Sequence, residues 1–328
     1  MARLALLEVL KRNMQRTRIK CCVIGGAGFI GAHVTRLLVK AGRDVVVLGR
    51  RTEPAMELPP EVAYVAGDYS SRTVLKSLFV DVAEVIDLAY STVPQTSFAD
   101  PVYDILSNLP ASVGLLQEAS AAGVERVVLV SSGGTVYGVA ASLPISEDHS
   151  NNPISPYGIT KLTIEKYAGM FELVADLPVV VVRPGNAYGE EQRAFTGQGF
   201  IATAMHSIIR GQEIGIYGAE GTIRDYVHVS DVASGIVAAL NRGEPGNAYN
   251  VGSGVGRSNR DVLREIEPLA ELAGYSVQTR ILPPRRYDVP ANVLDIRKLT
   301  AVSDWYPQVS FSSGIERVWH AVLDAYGK

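Results

Sequence analysis

Six short apolar runs recur along the first part of the chain: KCCVIGG, DVVVLG, VAYVAGD, EVIDLAY, RVVLVSS and PVVVVRPG. Their apolar residues are consecutive rather than alternate, so both faces of each strand have to be covered. Patterns of helical spacing separate them, as in FIGAHVTRLLVKAG, which ends at Gly42. Strand, helix, strand is a βαβ unit, and its repetition predicts an α/β fold built on a doubly wound parallel sheet. All six runs end in Gly, Asp, Ser or Tyr. Ligands of such sheets bind beyond the carboxyl ends of the strands, so the chemistry is expected there.

The 328 residues suffice for one large domain or two smaller ones. Hydrophobic residues at 47% and charged residues at 20% describe a soluble globular chain. A net charge of -3 argues against a nucleic-acid scaffold or a polybasic membrane binder. The two cysteines, Cys21 and Cys22, are adjacent in a strand and point to opposite faces, which makes them poor disulfide partners. They read as core residues of a reduced, cytoplasmic protein. The segment MARLALLEVLKRNMQRTR, residues 1–18, is too short in its apolar part to span a bilayer and lacks a small-residue cleavage site. A frayed amphipathic extension, or an upstream start codon, is expected there.

Between the first strand and the first helix stand Gly25, Gly26, Ala27, Gly28, Phe29, Ile30 and Gly31. In a G-x-x-G-x-x-G turn, Gly25 permits the tight bend, Gly28 lets backbone approach a pyrophosphate and Gly31 lets the helix lie close to the sheet. The anion rests on free N–H groups at the positive helix terminus. This predicts a Rossmann-type site for NAD or NADP. The second strand ends in Gly49, Arg50 and Arg51, where an acid for the ribose hydroxyls is expected, and a guanidinium there leans towards a 2′-phosphate and hence NADP. Asp68, in VAGDYS, is a candidate for the adenine amine, or else starts a turn.

After Pro184 the sequence becomes polar and glycine-rich. A dinucleotide-binding domain over 19–184 is expected, with 227–256 returning to it, and a smaller C-terminal α/β substrate lobe over 185–226 and 257–328.

Tyr157 and Lys161 are four apart in YGITK, so on a helix they share one face. The ammonium would stabilise a phenolate and lower the tyrosine pKa, fitting it to take a proton from an alcohol. His33, His149, His206, His228 and His320 are dispersed and lack metal-ligand spacing, so no metal site is expected.

Together GGAGFIG, AGD, Asn108, SSGGTVYG, YGITK, RPGNAYG, RDYVHVSDV and RRYDVP span about Lys20 to Asp295. In their order and number the chain resembles the extended short-chain dehydrogenases/reductases of the NAD-dependent epimerase/dehydratase family, and within it the nucleotide-sugar 4-epimerases. The resemblance implies that Tyr157 is the base and that Lys161 binds the nicotinamide ribose. It implies cofactor contacts from Gly25, Gly28, Phe29, Ile30, Gly31, Arg50, Arg51, Asp68, Tyr69, Leu88, Ala89, Asn108, Pro184 and Gly185. Asn186, Arg224, Tyr226 and Arg285 would meet the sugar diphosphate of a UDP-sugar. Read as residues, Arg224 and Arg285 lie in glycine- and proline-flanked polar segments that suit a pyrophosphate clamp, the alternative being surface ion pairs with Asp225 or Asp288. The family's homodimers pair through two helices, and SVGLLQEASAAG and the helix from Tyr157 to about Leu173 are the candidates, unless their apolar stripes face the sheet instead.

The chain departs from the pattern at one point. The family's catalytic Ser or Thr stands four residues before the tyrosine of VYG, and here that position is Gly133. Thr135 is the first candidate to replace it and Ser132 the second. The acidic pair that dehydratases carry before VYG is here Gly134 and Thr135, which leaves no evident proton donor for a departing hydroxyl. Epimerisation is therefore the expected reaction. The alternatives are an NADPH-dependent keto-sugar reductase and a non-catalytic NAD(P)-sensing module, against which the Tyr/Lys pair argues.

Overall fold

The computed structural model describes residues 18–285 and 288–327. The N-terminal extension read from the sequence falls outside that range but for Arg18. Six parallel strands arise from the six apolar runs: β1 (Lys20–Ile24), β2 (Asp44–Gly49), β3 (Ala63–Ala66), β4 (Glu84–Asp87), β5 (Arg126–Val130) and β6 (Val179–Pro184). A seventh strand, Ala248–Val251, comes from much later in the chain and pairs in parallel with β6. The sheet order is β3-β2-β1-β4-β5-β6 followed by this strand. The order reverses between β1 and β4, and there the helices leave the sheet on opposite faces, opening a crevice.

The double-sided apolar runs are explained by two cores. On one face Cys21, Val23, Val45 and Val47 pack under Val34 and Leu38 of the helix Phe29–Lys40 and under Val232 and Ile236 of Val229–Arg242. On the other, Cys22, Ile24, Val46 and Leu48 pack under Leu75, Leu115, Leu116 and Ile164, carried by the helices Arg72–Leu78, Pro101–Ala121 and Pro156–Ala175. The neighbouring cysteines are free, fully buried and divided between the two cores.

A third core lies beyond β6. Strands β7 (Asn186–Tyr188), β8 (Ile214–Tyr217) and β9 (Ile223–His228) shelter Tyr188, Met205, Ile216, Tyr226, Ile266 and Trp319. Strand β9 pairs in parallel with β7 and with Ala291–Asn292, and antiparallel with Gly256–Arg257. The helix Arg297–Ser303 departs from the expected division. It packs on Val229–Arg242, and its Leu299 belongs to the core of the large sheet. No helix among the described residues is long and apolar enough to cross a membrane.

The helix bearing SVGLLQEASAAG begins earlier than that segment, at Pro101, with Asp100 as its cap accepting from the Tyr103 N–H at 2.8 Å. Its later half faces the sheet, with Ser112, Gly114, Leu115, Leu116 and Ala119 buried. The unpartnered apolar side chains are in the earlier half instead, at Val102, Tyr103, Ile105 and Leu106.

Candidate active site

The glycine turn closes as its residue types require. Gly25 sits at φ +77°, and a Cβ there would come 3.3 Å from the Ala89 nitrogen. A Cβ at Gly31 would overlap the Gly25 carbonyl oxygen, so the helix lies against the turn only because position 31 is bare. Gly28 starts the helix Phe29–Lys40 without a side-chain cap, and its first turn carries no acid. The positive helix end therefore has no anionic group of its own beside it. A cleft of about 280 Å³ opens there, lined by Gly25, Gly28, Arg50, Arg51, Tyr69, Leu88 and Ala89. An uncapped helix terminus in a cradle that a Cβ would fill fits the pyrophosphate of a dinucleotide.

Two cofactor candidates stand apart from this cleft. Asp68 is exposed, accepts from the Ser70 N–H at 2.9 Å in a tight turn and does not line the cleft, whereas its neighbours Gly67 and Tyr69 do. Asn108 is fully buried behind the wall. Its Oδ1 accepts from the Ser91 N–H at 2.7 Å, and its Nδ2 donates to the Asp104 carbonyl at 2.8 Å. Its amide is occupied by the protein and holds the 88–93 segment in place.

The second cleft, of about 450 Å³, adjoins the first at Leu88 and Tyr90. It brings together Phe29, Ile30, Ser132, Thr135, Tyr157, Lys161, Pro184, Gly185, Asn186, Arg224, Tyr226 and Arg285. Tyr157 and Lys161 lie on the first turns of Pro156–Ala175, which starts there because Ser155 caps the Gly158 N–H at 3.1 Å and Pro156 takes the first helical position.

The electrostatics of the pair differ from the expectation. Burial first, and then the negative charge of Asp104, push the Tyr157 phenol above its ordinary value, while a hydrogen bond with the Ser132 side chain lowers it. Lys161 does not offset this, because its ammonium faces elsewhere. It donates to the Val130 carbonyl at 2.8 Å and lies 4.1 Å from the Tyr90 ring centroid, against 5.9 Å from that of Tyr157. Burial pulls Lys161 down to about 8, opposed by Asp87, Glu165 and Asp104.

Of the two hydroxyls considered for the gap at Gly133, Ser132 is the one against the phenol. Thr135 lines the cleft, but its Oγ1 is buried without a hydrogen-bond partner. The preference for Thr135 is thus reversed: Ser132 directly follows the Ser131 residue that extends β5, whereas Thr135 lies in the turn beyond it. At Gly133 itself an added Cβ would stand 2.6 Å from Leu294 Cδ1 and 2.9 Å from the Arg183 carbonyl oxygen. Gly134 is open by comparison, its nearest atom being Asn186 Oδ1 at 3.6 Å.

Sequence reasoning missed the group behind the phenol. Asp104 is fully buried and accepts from Thr160 Oγ1 at 2.6 Å, from Thr92 Oγ1, and from the Tyr90 hydroxyl at 3.5 Å. Tyr90 meets Tyr157 edge to face, with ring centroids 4.8 Å apart. A signal existed for Tyr90, which follows the carboxyl end of β4, but none for Asp104, an acid inside a helix. Asp87 is also buried, and burial raises it to about 6 while Lys161 and the Ala89 N–H lower it.

At the far end of the cleft Arg224 donates to the Val289 carbonyl at 2.7 Å, and the Arg285 guanidinium stacks 3.5 Å from the Tyr217 ring centroid. The ion pair of Arg224 with Asp225 considered from sequence does not form. Asp225 is fully buried and accepts from Ser253, Gly254 and Leu294 N–H groups.

The model of the NAD dependent epimerase/dehydratase family matches residues 21–252. The UDP-glucose 4-epimerase of Mycolicibacterium smegmatis is 33% identical, over 91% of this chain and 97% of its own. Among solved structures, a UDP-glucose 4-epimerase from Thermotoga maritima with UDP-glucose superposes with a TM-score of 0.87 at 29% identity, covering 94% of this chain and 99% of that one. The Thermus thermophilus UDP-glucose 4-epimerase in complex with NAD gives 0.85 at 32% identity, covering 93% and 99%. A family match over residues 21–252, joined to a glycine cradle and a Tyr/Lys pair in adjoining clefts, makes this chain a member of the NAD dependent epimerase/dehydratase family.

Proposed function

We propose that the protein is a nucleotide-sugar 4-epimerase that inverts carbon 4 of a UDP-hexose by transient oxidation, with NAD as its resident cofactor. The observation that carries the reading is the single cleft joining Tyr157 and Ser132 to Arg224 and Arg285. NAD, which the Gly25–Gly31 turn would hold, would supply the hydride acceptor and donor for carbon 4. The chain's own part is acid–base work and positioning. Tyr157 takes the proton of the 4-hydroxyl and later returns it, and Ser132 hydrogen-bonds the reacting oxygen. The buried Lys161 ammonium, one helical turn from Tyr157, supplies a positive charge to the cleft, although it donates to the Val130 carbonyl and not to the phenol. Asn186, Tyr226, Arg224 and Arg285 hold the diphosphate end, so that the hexose can turn over between hydride departure and return.

Gly25, Gly28 and Gly31 support the dinucleotide at the helix terminus, with Phe29, Ile30, Tyr69, Leu88, Ala89, Pro184 and Gly185 beside it. Arg50 and Arg51 border the adenosine end of the cleft, and comparing binding of NAD and NADP measures their bias. The exposed side chains Val102, Leu106, Ile159, Met170 and Leu173, on two helices that pack together, support a homodimer.

The test is incubation with UDP-glucose, UDP-galactose, UDP-N-acetylglucosamine and UDP-glucuronate, with products resolved by NMR. Formation of a 4-epimer with no reductant added is the expected result. Stoichiometric loss of absorbance at 340 nm from added NADPH, without epimer, would replace the reading by a reductase.

A further inference from the structure

Tyr90 belongs to neither the glycine cradle nor the acid–base pair, yet it touches both clefts. Its ring face lies 4.1 Å from Lys161 Nζ, its edge meets the Tyr157 ring at 4.8 Å, and its hydroxyl reaches both oxygens of Asp104 at 3.5 Å. The segment that carries it is pinned from behind, by Asn108 through the Ser91 N–H and by Asp104 through Thr92 Oγ1.

We propose that Tyr90 is a positioning residue whose ring face keeps the buried Lys161 ammonium charged and fixes the ring of Tyr157 beside it. A buried ammonium with one hydrogen-bond acceptor, the Val130 carbonyl, is short of stabilisation. The negative face of an aromatic ring supplies part of it, more strongly where water is excluded. The other groups facing Lys161 are accounted for. Asp87 reaches it from the end of β4 and Asp104 from the helix Pro101–Ala121. Glu165, on its own helix, is held by Arg183 through two bonds of 3.1 and 2.6 Å. Asp104 is engaged by three hydroxyls, and the Tyr157 ring lies farther off at 5.9 Å, which leaves Tyr90 as the nearest ring face to the ammonium.

The consequence for the reaction rests on the proposed epimerase chemistry, but the test does not. With lysines labelled by ¹³C at Cε, the Lys161 resonance is assigned by its loss in Lys161→Met and titrated in wild type, Tyr90→Phe and Tyr90→Leu without substrate. Wild type and Tyr90→Phe, which keeps the ring, are expected to titrate together. Tyr90→Leu is expected to titrate about one unit lower, as loss of a desolvated cation–π contact requires. Far-UV circular dichroism reports folding, and Tyr90→Met carries the measurement if the leucine variant does not fold. An aliphatic variant that titrates with wild type would overturn the proposal. So would a phenylalanine variant that shifts as far as the aliphatic one, because the hydroxyl would then be responsible. In turnover, the alkaline limb of the pH profile moves down with the Lys161 titration. Absence of turnover in wild type would count against the epimerase reading and leave the titration result standing.

Discussion

Leu294 occupies the space that a side chain at Gly133 would need. A Cβ at position 133 would meet Leu294 Cδ1 at 2.6 Å and the Arg183 carbonyl oxygen at 2.9 Å. The Gly133 backbone is fixed as well: its N–H donates to the Pro184 carbonyl at 2.9 Å and its carbonyl accepts from Asn292 Nδ2, also at 2.9 Å. The missing hydroxyl at this position is therefore a packing consequence.

Restoring the hydroxyl at 133 is expected to harm the enzyme. Gly133→Ser should lower unfolding stability by about 1–3 kcal/mol in urea titration, the usual cost of forcing atoms into a filled core. Turnover should fall and not rise, since Leu294 or the strand must shift. A Gly133→Ser protein as stable as wild type and faster would contradict the packing account.

Tyr157→Phe is expected to reduce turnover by about 10²–10⁴-fold, the range for loss of a positioned acid–base group, with little change in KM for the UDP-sugar. Ser132→Ala should cost about 10–100-fold, as one hydrogen bond to a charged oxygen does. Thr135→Ala should cost less, because Thr135 Oγ1 touches no polar partner. Steady-state rates of the three variants decide the order, and a Thr135→Ala loss larger than that of Ser132→Ala would restore Thr135 to the role.

The glycine cradle separates binding from folding. A Cβ at Gly28 would approach one atom, the Gly25 carbonyl oxygen at 3.2 Å, whereas one at Gly31 would overlap that oxygen and stand 2.7 Å from Gly26 Cα. Gly28→Ala should keep a melting temperature close to wild type while weakening NAD binding about tenfold by calorimetry. Gly31→Ala should lose stability as well, by about 1–3 kcal/mol. Equal stability losses in the two variants would show that the cradle is not divided in this way.

The exposed stripe gives a prediction about assembly. Leu106 is 66% and Leu173 80% exposed, and Met170 lies on the same helix as Leu173. Replacing Leu106 and Met170 by Asp should convert a sedimenting dimer into monomer without changing the circular dichroism. A wild-type monomer at micromolar concentration would remove the interface.

Glu190 predicts part of the acid limb of stability. The hydrogen bond from His228, at 3.1 Å, holds its carboxyl down to about 2, below the roughly 4.3 of an unfolded chain. A depressed carboxyl contributes stability that is present above the unfolded value and is lost as the pH falls from about 4.3 to about 2. Glu190→Gln should thus be less stable than wild type at pH 6, with the difference gone near pH 2 in acid titrations. A constant difference across that window would remove Glu190 from the account.

Much of the architecture follows from local sequence. Strands β1, β2, β4, β5 and β6 are apolar at consecutive positions because helices cover both their faces, and that pattern needs no distant information. The glycine turn, the Ser155–Pro156 helix start and the spacing of Tyr157 and Lys161 are equally short-range, being set by backbone sterics and helical pitch. A return of 227–256 to the large domain is expected from the sequence, but its strand Ala248–Val251 is not legible there, because four residues between polar segments carry little pattern of their own.

What only the tertiary structure decided are contacts between side chains remote in sequence. Ser132 rather than Thr135 meets the phenol, Leu294 closes the space at Gly133, and Asp104 gathers Tyr90, Thr92 and Thr160 behind the site. Asn108 bonds to the wall of the cleft from behind, and the helix expected to pair two protomers turns its later half to the sheet and its earlier half outward. Periodicity reports which residues are apolar and how far apart they stand along one element. Which hydroxyl faces which ring depends on the crossing of elements that meet only once the sheet has closed, and dense packing makes that a matter of single atoms.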